Sequence, residues 1–356
     1  MMRKTWYMKI AVLLSGGVDS SVALRLLQQQ GYDVTAFYLK IWLEDELAFL
    51  GSCPWEEDLS YVRATCKQLD VPLEVLSFQR AYWDHVVAYT IAEIKAGHTP
   101  NPDIMCNQKV KFGAFEEAIG TNFDKIATGH YAQVTALNNF YELHRAPDPI
   151  KDQTYFLAHL SQQQLGKALF PIGHLAKHEV RALAHQFDLP TKDRKDSQGI
   201  CFLGKIKFSD FVKHHLGILK GELREAETGT VLGEHDGFWY YTIGQRHSIG
   251  LSGGPWYVVA KDIEKNIVYI SKTYYAPDKT RSSFSVKTFN WIGTEPILPG
   301  MFDVKLRHGA ALTQATVERA ANDYHIDLAQ NDQGIAAGQS AVLYDGTRCI
   351  GGGIIT

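Results

Sequence analysis

The sequence at residues 10–21, IAVLLSGGVDSS, decides the fold. Residues 10–14 are apolar without interruption and predict a buried strand, and a helical pattern begins near Val22. Between them lies a loop of glycines and serines, which lets the backbone approach an anion closely at the positive N-terminal end of the helix. The stretch therefore predicts a phosphate-binding loop between the first strand and the first helix of an α/β sheet.

This loop differs from the P-loop of kinases and related nucleotide hydrolases, because residues 15–21 contain no lysine. The loop carries Asp19 instead, and a carboxylate is favourable there if a divalent cation lies between it and the phosphates. The order of strand, S-G-G-x-D-S and helix is similar to that of the ATP pyrophosphatases. This resemblance implies cleavage of ATP between its α and β phosphates, with transfer of AMP to an oxygen atom of an acceptor. A Gly-Ser turn that caps an ordinary helix is the alternative.

The composition is that of an ordinary globular protein with more than one domain. The chain has 356 residues, 45% hydrophobic and 21% charged, and its net charge of −3 gives no overall indication of nucleic acid binding. No apolar run approaches the roughly 20 residues of a membrane span, and residues 1–7 do not resemble a signal peptide, so we expect a cytoplasmic protein. The five cysteines show no spacing typical of a zinc site or a secreted disulfide framework.

Strand and helix patterns alternate over the first half of the chain. The predicted strands are residues 9–14, 34–39, 73–77 and 124–128, and the predicted helices lie near residues 20–30, 56–69, 82–96, 109–120 and 177–187. This alternation predicts a doubly wound parallel sheet that binds ligands beyond the carboxyl ends of its strands. Short strands and turns in the second half predict a small β-rich central domain and a C-terminal β-barrel. We place the domain limits at residues 1–208, 209–279 and 280–356.

Two cysteines lie in stretches with further chemical potential. Residues 100–107, PNPDIMCN, place Asp103 and Cys106 on one face of a helix that begins here, where the helix N-terminus would lower the thiol pKa. A capped turn with Cys106 as a small buried side chain is the alternative. Residues 196–202, DSQGICF, place Cys201 in a polar loop that suits a mobile reactive group, although a passive thiol fits equally well.

The order of the motifs along the chain makes the resemblance specific. The loop SGGVDSS is followed by NPDIMCN, by TGHYA at residues 128–132, by KDQ at residues 151–153, by DSQGICF, and by YTIGQRHSIG at residues 241–250. In this order the motifs resemble those of the bacterial-type tRNA-specific 2-thiouridylases nearly from end to end.

The resemblance implies a role for each matching residue. The ATP phosphates would be bound by Leu13, Leu14, Ser15, Gly16, Gly17, Val18, Asp19 and Ser20, and the adenosine moiety by Leu39 and Gly129. Asp19 would also help to hold Mg²⁺. The target uridine would be held by Asn101, Pro102 and Asp103, and other parts of the tRNA by Lys151, Asp152, Gln153, Arg307 and His308. The chain departs from the family at Leu39, where many members have methionine, and at His308, where tyrosine is frequent.

The resemblance also implies a reaction. ATP would adenylate the C2 oxygen of the wobble uridine in tRNAs for Lys, Glu and Gln, and AMP would leave as sulfur enters. Cys201 would carry a persulfide sulfur from a donor protein and Cys106 would be the nucleophile, with Asp103 as a general acid or base. The persulfide would either attack C2 itself or release hydrosulfide when Cys106 attacks Cys201 and forms a disulfide. We expect a monomer whose segment around Cys201 is mobile and orders when tRNA binds.

Two other functions fit part of the sequence. An amide-forming synthetase that acts on a small molecule would share the S-G-G-x-D-S loop but has no need for Cys106 and Cys201. A non-catalytic protein that binds tRNA or senses nucleotides would be expected to have lost Asp19 or one of these thiols. All three residues are present.

Overall fold

The structure, a computed structural model, describes residues 8–41, 55–138, 140–196, 207–274, 276 and 281–356. The strands within these residues are β1 Lys9–Leu13, β2 Asp33–Lys40, β3 Leu73–Ser77, β4 Lys125–Ala127, β5 Ala132–Leu137, β6 Phe140–Arg145, β7 Ala168–Leu169, β8 Gly221–Glu225, β9 Val231–His235, β10 Tyr257–Asp262, β11 Ile267–Ser271, β12 Ser283–Trp291, β13 Gly300–Lys305, β14 Thr313–Ala320, β15 Asp323–Leu328, β16 Ser340–Asp345 and β17 Arg348–Ile355. The helices are α1 Val18–Gln29, α2 Trp55–Leu69, α3 residues 79–95, α4 residues 102–119, α5 Gln162–Lys167, α6 Lys177–Gln186 and α7 Phe208–Leu216. Short 3₁₀ turns lie at Gly120–Asn122, Thr154–Leu157 and Phe238–Tyr240.

The first sheet has five parallel strands in the order β3-β2-β1-β4-β7. Both of its faces are covered, because alternate residues of β1 belong to different cores. Ile10 and Val12 pack with α1, α2 and α6, whereas Ala11 and Leu13 pack with α3 and α4. Burial on both sides explains why β1 is apolar without alternation. The predicted doubly wound sheet is therefore confirmed.

The predicted strands and helices of this half are all present, and the largest difference is that two helices begin earlier than expected. α3 contains a π-helical turn at Trp83–Val87, and α4 contains a longer one at Cys106–Ala114. π-helical turns of this kind are often found at functional sites. In α4 the turn begins at the cysteine that the sequence marks as a nucleophile.

The C-terminal domain is the expected β-barrel. β12 to β17 form one antiparallel sheet in the order β12-β15-β14-β13-β16-β17, and pairing of β12 with β17 closes it. The β5–β6 hairpin, which sequence patterns did not predict, extends this sheet through pairing of β6 with β17. The first domain is thereby joined to the barrel by backbone hydrogen bonds.

The central domain is built on a four-stranded sheet in the order β10-β11-β8-β9. Lys261 connects it to the first domain, since its Nζ donates to the Gly97 carbonyl oxygen at 2.6 Å and to the Tyr241 carbonyl oxygen at 3.1 Å. Burial lowers the pKa of Lys261 to about 8. Across the described part of the chain, every helix is too short or too polar to cross a membrane.

Candidate active site

The loop between β1 and α1 has a conformation that requires glycine. Gly16 has a φ of +77°, and a Cβ atom there would lie 2.6 Å from the Asp58 carbonyl oxygen. The Gly16 carbonyl oxygen accepts a hydrogen bond from Arg194 Nη1 at 2.7 Å, and Arg194 Nη2 donates to Asp58 at the same distance. Arg194 lies near the C-terminal end of the first domain in sequence, but its side chain holds the loop in place.

The hydroxyl groups of the loop hold its backbone in place. Ser20 and Ser21 donate to the Gly17 carbonyl oxygen at 3.2 and 2.9 Å, and Ser20 Oγ accepts from the Ser15 amide at 3.3 Å. Gly17 caps α1 without any side-chain hydrogen bond to the first turn. The first turn of α1 therefore presents its N–H groups and its positive dipole end at the carboxyl edge of the sheet.

The other residues predicted to bind ATP surround this loop. Gly129 follows β4, and a Cβ atom there would lie 2.7 Å from the Ser20 amide nitrogen. Leu39 lies near the carboxyl end of β2 and is partly buried. Leu13, Leu14 and Val18 have buried side chains, so only their backbone can face a nucleotide. Those assignments of ATP contacts remain predictions.

Asp19 is held by two side chains that are distant in sequence. Its Oδ1 accepts from the Tyr131 hydroxyl at 2.7 Å, and Lys177 Nζ donates to Oδ1 at 2.7 Å and to Oδ2 at 2.9 Å. Burial raises the pKa of Tyr131, and the Asp19 charge raises it further, so the phenol stays protonated. In the described residues no group of three or more acidic, histidine or cysteine side chains could hold a metal. Asp19 fits Mg²⁺ that is held mainly by nucleotide phosphates and water.

A second carboxylate, Asp196, connects to the same lysine. Asp196 Oδ1 lies 2.8 Å from Lys177 Nζ and 2.6 Å from Arg181 Nη2, and Oδ2 lies 2.8 Å from Lys151 Nζ. Burial alone would raise the pKa of Asp196, but the hydrogen bonds and charges of Lys151 and Lys177 lower it well below its usual range. Lys151, predicted to bind tRNA, thus lies at the edge of the nucleotide loop with its ammonium group paired.

The start of α4 forms the candidate uridine site. Asn101 caps the helix, since its Oδ1 accepts from the amides of Asp103 and Ile104 at 3.1 and 3.3 Å. Pro102 is buried behind the cap. Asp103 Oδ1 is also buried, and it has no hydrogen-bond partner among the described residues. A buried acceptor of this kind calls for a donor from a ligand, and the N3–H group of uridine is one.

The prediction that the helix N-terminus lowers the pKa of the Cys106 thiol is wrong. Cys106 is 2% exposed, and burial raises the pKa of its thiol, while the charge of Lys111 opposes the shift and that of Asp103 adds to it. Desolvation is the largest of these effects and sets the direction of the shift. Cys106 is therefore held as a thiol until its surroundings change.

Polar side chains that the sequence did not single out lie around this thiol. Lys111 donates to Asn107 Oδ1 at 3.0 Å. His130 Nδ1 lies 2.7 Å from the Thr128 hydroxyl, and burial lowers the pKa of His130 well below its usual range, with Lys111 lowering it further. The charge of Lys111 therefore acts on both His130, which stays neutral, and Cys106.

Asp152 and Gln153, two further residues predicted to contact tRNA, bond to other residues of the protein. Asp152 has a fully buried side chain that pairs with Lys305 of the barrel at 2.8 Å, so its side chain does not face a docking surface, and its assignment to tRNA stays a prediction. The Tyr131 amide donates to Gln153 Oε1 at 3.0 Å, and the Gln153 amide donates to the Tyr131 carbonyl oxygen at 2.9 Å.

The two barrel residues are exposed, as a tRNA contact requires. Arg307 pairs with Asp332 at 2.8 Å, and His308 stacks on Phe156 with ring centroids 4.8 Å apart. Partial burial of the ring lowers the pKa of His308 and the charge of Lys305 lowers it further, whereas a hydrogen bond to the Asp152 backbone and the charge of Asp152 oppose the shift.

One predicted site residue lies outside the described residues, and the sequence patterns did not identify two other residues of the site. Cys201 and the expected mobile segment around it fall outside the described residues. Lys177 and Arg194 were not assigned to the site because they contact the loop from positions 158 and 178 residues away. No local pattern indicates such contacts.

Three family profiles match the chain in order. The tRNA methyl transferase HUP domain matches residues 8–205, the tRNA methyl transferase PRC-barrel domain matches residues 209–272, and the aminomethyltransferase beta-barrel domain matches residues 281–355. These three regions contain the parallel sheet, the central sheet and the barrel described above.

Curated relatives match over nearly the full length. A protein of Parabacteroides distasonis named tRNA-specific 2-thiouridylase MnmA is 46% identical over 356 residues, 98% of this chain and 99% of the relative. A protein of the same name from Porphyromonas gingivalis is 44% identical, with 98% and 99% covered, and tRNA-specific 2-thiouridylase MnmA 2 of Bacteroides fragilis is 48% identical, with 98% and 100% covered. On this identity over nearly the full length, the chain belongs to the tRNA-specific 2-thiouridylase MnmA family.

Proposed function

We propose that this chain catalyses the ATP-dependent 2-thiolation of the wobble uridine in tRNAs for Lys, Glu and Gln, with release of AMP and pyrophosphate. The observation that carries the proposal is identity of 44–48% over 98% of the chain to proteins named tRNA-specific 2-thiouridylase. The nucleotide loop and the start of α4 supply the two halves of the site that this reaction needs.

The first step activates an oxygen that is otherwise a poor leaving group. The C2 oxygen of uridine attacks the α-phosphorus of ATP, the bond to the β-phosphate oxygen breaks, and pyrophosphate leaves. The first-turn N–H groups of α1 stabilise the departing negative charge, and Gly129 lets the nucleotide approach this turn. Mg²⁺ bound at Asp19 would supply further charge neutralisation for the phosphates. Asp103 orients the base by accepting its N3–H group.

The second step replaces AMP with sulfur. In one route the terminal persulfide sulfur of Cys201 bonds to C2 and AMP leaves, after which Cys106 attacks the Cys201 sulfur and releases the thiolated base. In the other route Cys106 attacks Cys201 first, and the released hydrosulfide displaces AMP. Both routes end in a Cys106–Cys201 disulfide that a reductant must open before the next turnover. Both also require Cys106 to lose its proton, and Lys111 favours this.

The proposal includes partners that act before and during this reaction. A persulfide-carrying donor protein loads Cys201, and the tRNA lies across the first domain and the barrel, where Arg307 and His308 are exposed. We further propose that the enzyme works as a monomer in the cytoplasm, where its tRNA substrates are.

The test is a thiolation assay with a mercury-containing gel, which retards tRNA that carries sulfur. Unmodified tRNA is incubated with ATP, Mg²⁺ and a sulfur source, and both retardation and pyrophosphate are measured. Wild type and Cys66→Ala should thiolate tRNA, because Cys66 is a buried core thiol on α2. Cys106→Ser and Cys201→Ser should release pyrophosphate in a tRNA-dependent manner without retarding tRNA. No retarded tRNA from wild type, or full activity of Cys201→Ser, would overturn the proposal.

A further inference from the structure

Lys177 brings a positive charge to a nucleotide loop that has no lysine of its own. It is the first residue of α6, and its Nζ donates to both carboxylate oxygens of Asp19 at 2.7 and 2.9 Å. Its side chain is only 13% exposed. Asp19 lies in the first turn of α1, the turn whose N–H groups face an anion. The ammonium group of Lys177 is therefore bonded to a residue of the turn that would face the phosphates.

Lys177 contacts the carboxylates of Asp19 and Asp196, and the charge of Asp19 depends on Lys177 for neutralisation more than that of Asp196 does. Asp196 has two other cations, Lys151 at 2.8 Å and Arg181 at 2.6 Å. Asp19, among the described residues, receives only the neutral Tyr131 hydroxyl besides Lys177. Lys177 is thus the charge that neutralises Asp19, and Asp196 stays neutralised if Lys177 moves away.

We propose that Lys177 binds the β-phosphate side of ATP and then the departing pyrophosphate, after exchanging its bonds to Asp19 for bonds to phosphate oxygens. This inference rests on the proposed use of ATP by this chain. Asp19 would also hold the Mg²⁺ that accompanies ATP, and its positive charge there would favour movement of the Lys177 ammonium group toward the phosphates. Each carboxylate keeps a positive partner throughout the exchange.

The role of Lys177 follows from where charge develops during adenylation. When the α-phosphorus bonds to the uridine oxygen, the bridging oxygen and the β-phosphate gain negative charge. Once it bonds to the phosphate oxygens, the Lys177 ammonium group stabilises that charge at close range in a partly buried site. Asp19 would hold Mg²⁺ for these phosphates, and Lys177, which bonds to Asp19, is therefore placed at the same end of the nucleotide.

The experiment measures the dissociation constants of ATP, sodium pyrophosphate and AMP by calorimetry in buffer with Mg²⁺ and without tRNA. Lys177→Met should weaken ATP and pyrophosphate binding roughly 10- to 100-fold, the loss expected for a charge-assisted hydrogen bond. AMP binding should change by less than about threefold, because AMP lacks the phosphates that Lys177 contacts. Lys177→Arg should recover most of the affinity for pyrophosphate.

Lys192→Met is the matched control, because the ammonium group of Lys192 pairs with Asp188, away from Asp19 and Asp196. It should bind all three ligands as wild type does. An equal loss for ATP, pyrophosphate and AMP in Lys177→Met would indicate a structural role and overturn the inference, as would unchanged pyrophosphate binding. These measurements need no tRNA, so failure of wild type in the mercury gel, with ligand binding intact, would overturn the thiolation proposal alone.

Discussion

The buried ion pair between Asp152 and Lys305 fastens the first domain to the barrel, and its removal is the most informative stability test. Both side chains are 0% exposed and their charged atoms are 2.8 Å apart. Asp152 also accepts from Arg145 Nε at 3.0 Å and from the Thr154 hydroxyl at 2.7 Å. For Lys305, the ring of Tyr344, at 5.4 Å, is the other described contact that favours its charge.

Because Asp152 has more stabilising partners than Lys305, the two substitutions should lower the free energy of unfolding by different amounts. Asp152→Asn leaves the Lys305 ammonium group buried with no countercharge in contact, which should cost about 3–5 kcal/mol of the free energy of unfolding. Lys305→Met should cost less, about 2 kcal/mol, because Arg145 and Thr154 still stabilise the carboxylate. The double variant should be more stable than Asp152→Asn alone, because it no longer contains the unpaired ammonium group.

The pH dependence of the same pair has a defined sign. Burial alone would raise the pKa of Asp152, but the hydrogen bond and charge of Lys305 outweigh burial and lower it. A carboxyl group with a lowered pKa stabilises the fold above its unfolded-state pKa, and that stabilisation is lost as the pH falls through the folded-state pKa. The contribution of Asp152 is therefore fully present at neutral pH, where the variants should be compared.

The assay is urea denaturation at pH 7, followed by circular dichroism and tryptophan fluorescence. Arg307→Met is the control for an exposed pair, because Arg307 is 59% exposed and its pairing with Asp332 should contribute at most about 1 kcal/mol. The reasoning is refuted if Asp152→Asn unfolds within about 1 kcal/mol of wild type. It is also refuted if adding Lys305→Met makes Asp152→Asn less stable.

Two further predictions concern the nucleotide loop and acid stability. In Gly129→Ala the new Cβ atom would lie 2.7 Å from the Ser20 amide nitrogen. The loop must then shift by roughly 0.7 Å and calorimetry should show ATP binding weakened at least about tenfold; wild-type affinity in a folded variant would contradict this close approach. Burial lowers the pKa of His159 from 6.5 to about 4, so the fold should lose up to about 3 kcal/mol as the pH falls through that interval. Urea midpoints of His159→Gln should depend less steeply on pH there, and an unchanged slope would count against the assignment.

Local sequence patterns predicted the elements of the first domain because burial on both faces leaves a clear signature. β1 and α1 are examples, since an uninterrupted apolar run and a helical repeat are each written within about ten residues. The β5–β6 hairpin was missed because it is stabilised by β17 at the far end of the chain. Its exposed strands have little apolar alternation of their own.

In the candidate site too, the sequence predicted residues that belong to short motifs but not the effects of tertiary packing. The sequence located the glycine loop, Asp19 and the Asp103–Cys106 pair, because each belongs to a short motif. It gave the wrong direction for the pKa of Cys106, since the helix N-terminus is a local feature whereas burial depends on packing against other elements. It also assigned Asp152 to tRNA, and the structure buries that residue against Lys305.

The sequence by itself determined the order of strand, loop and helix, the residues that motifs place near ATP and uridine, and the family. Tertiary structure alone decided which charges meet there. Lys177 reaches Asp19 from 158 positions away, and Arg194 reaches Gly16 from 178 positions away. The physical reason is that an ion pair forms where packing of helices on the sheet brings two side chains together, and no short-range pattern of residues records that distance.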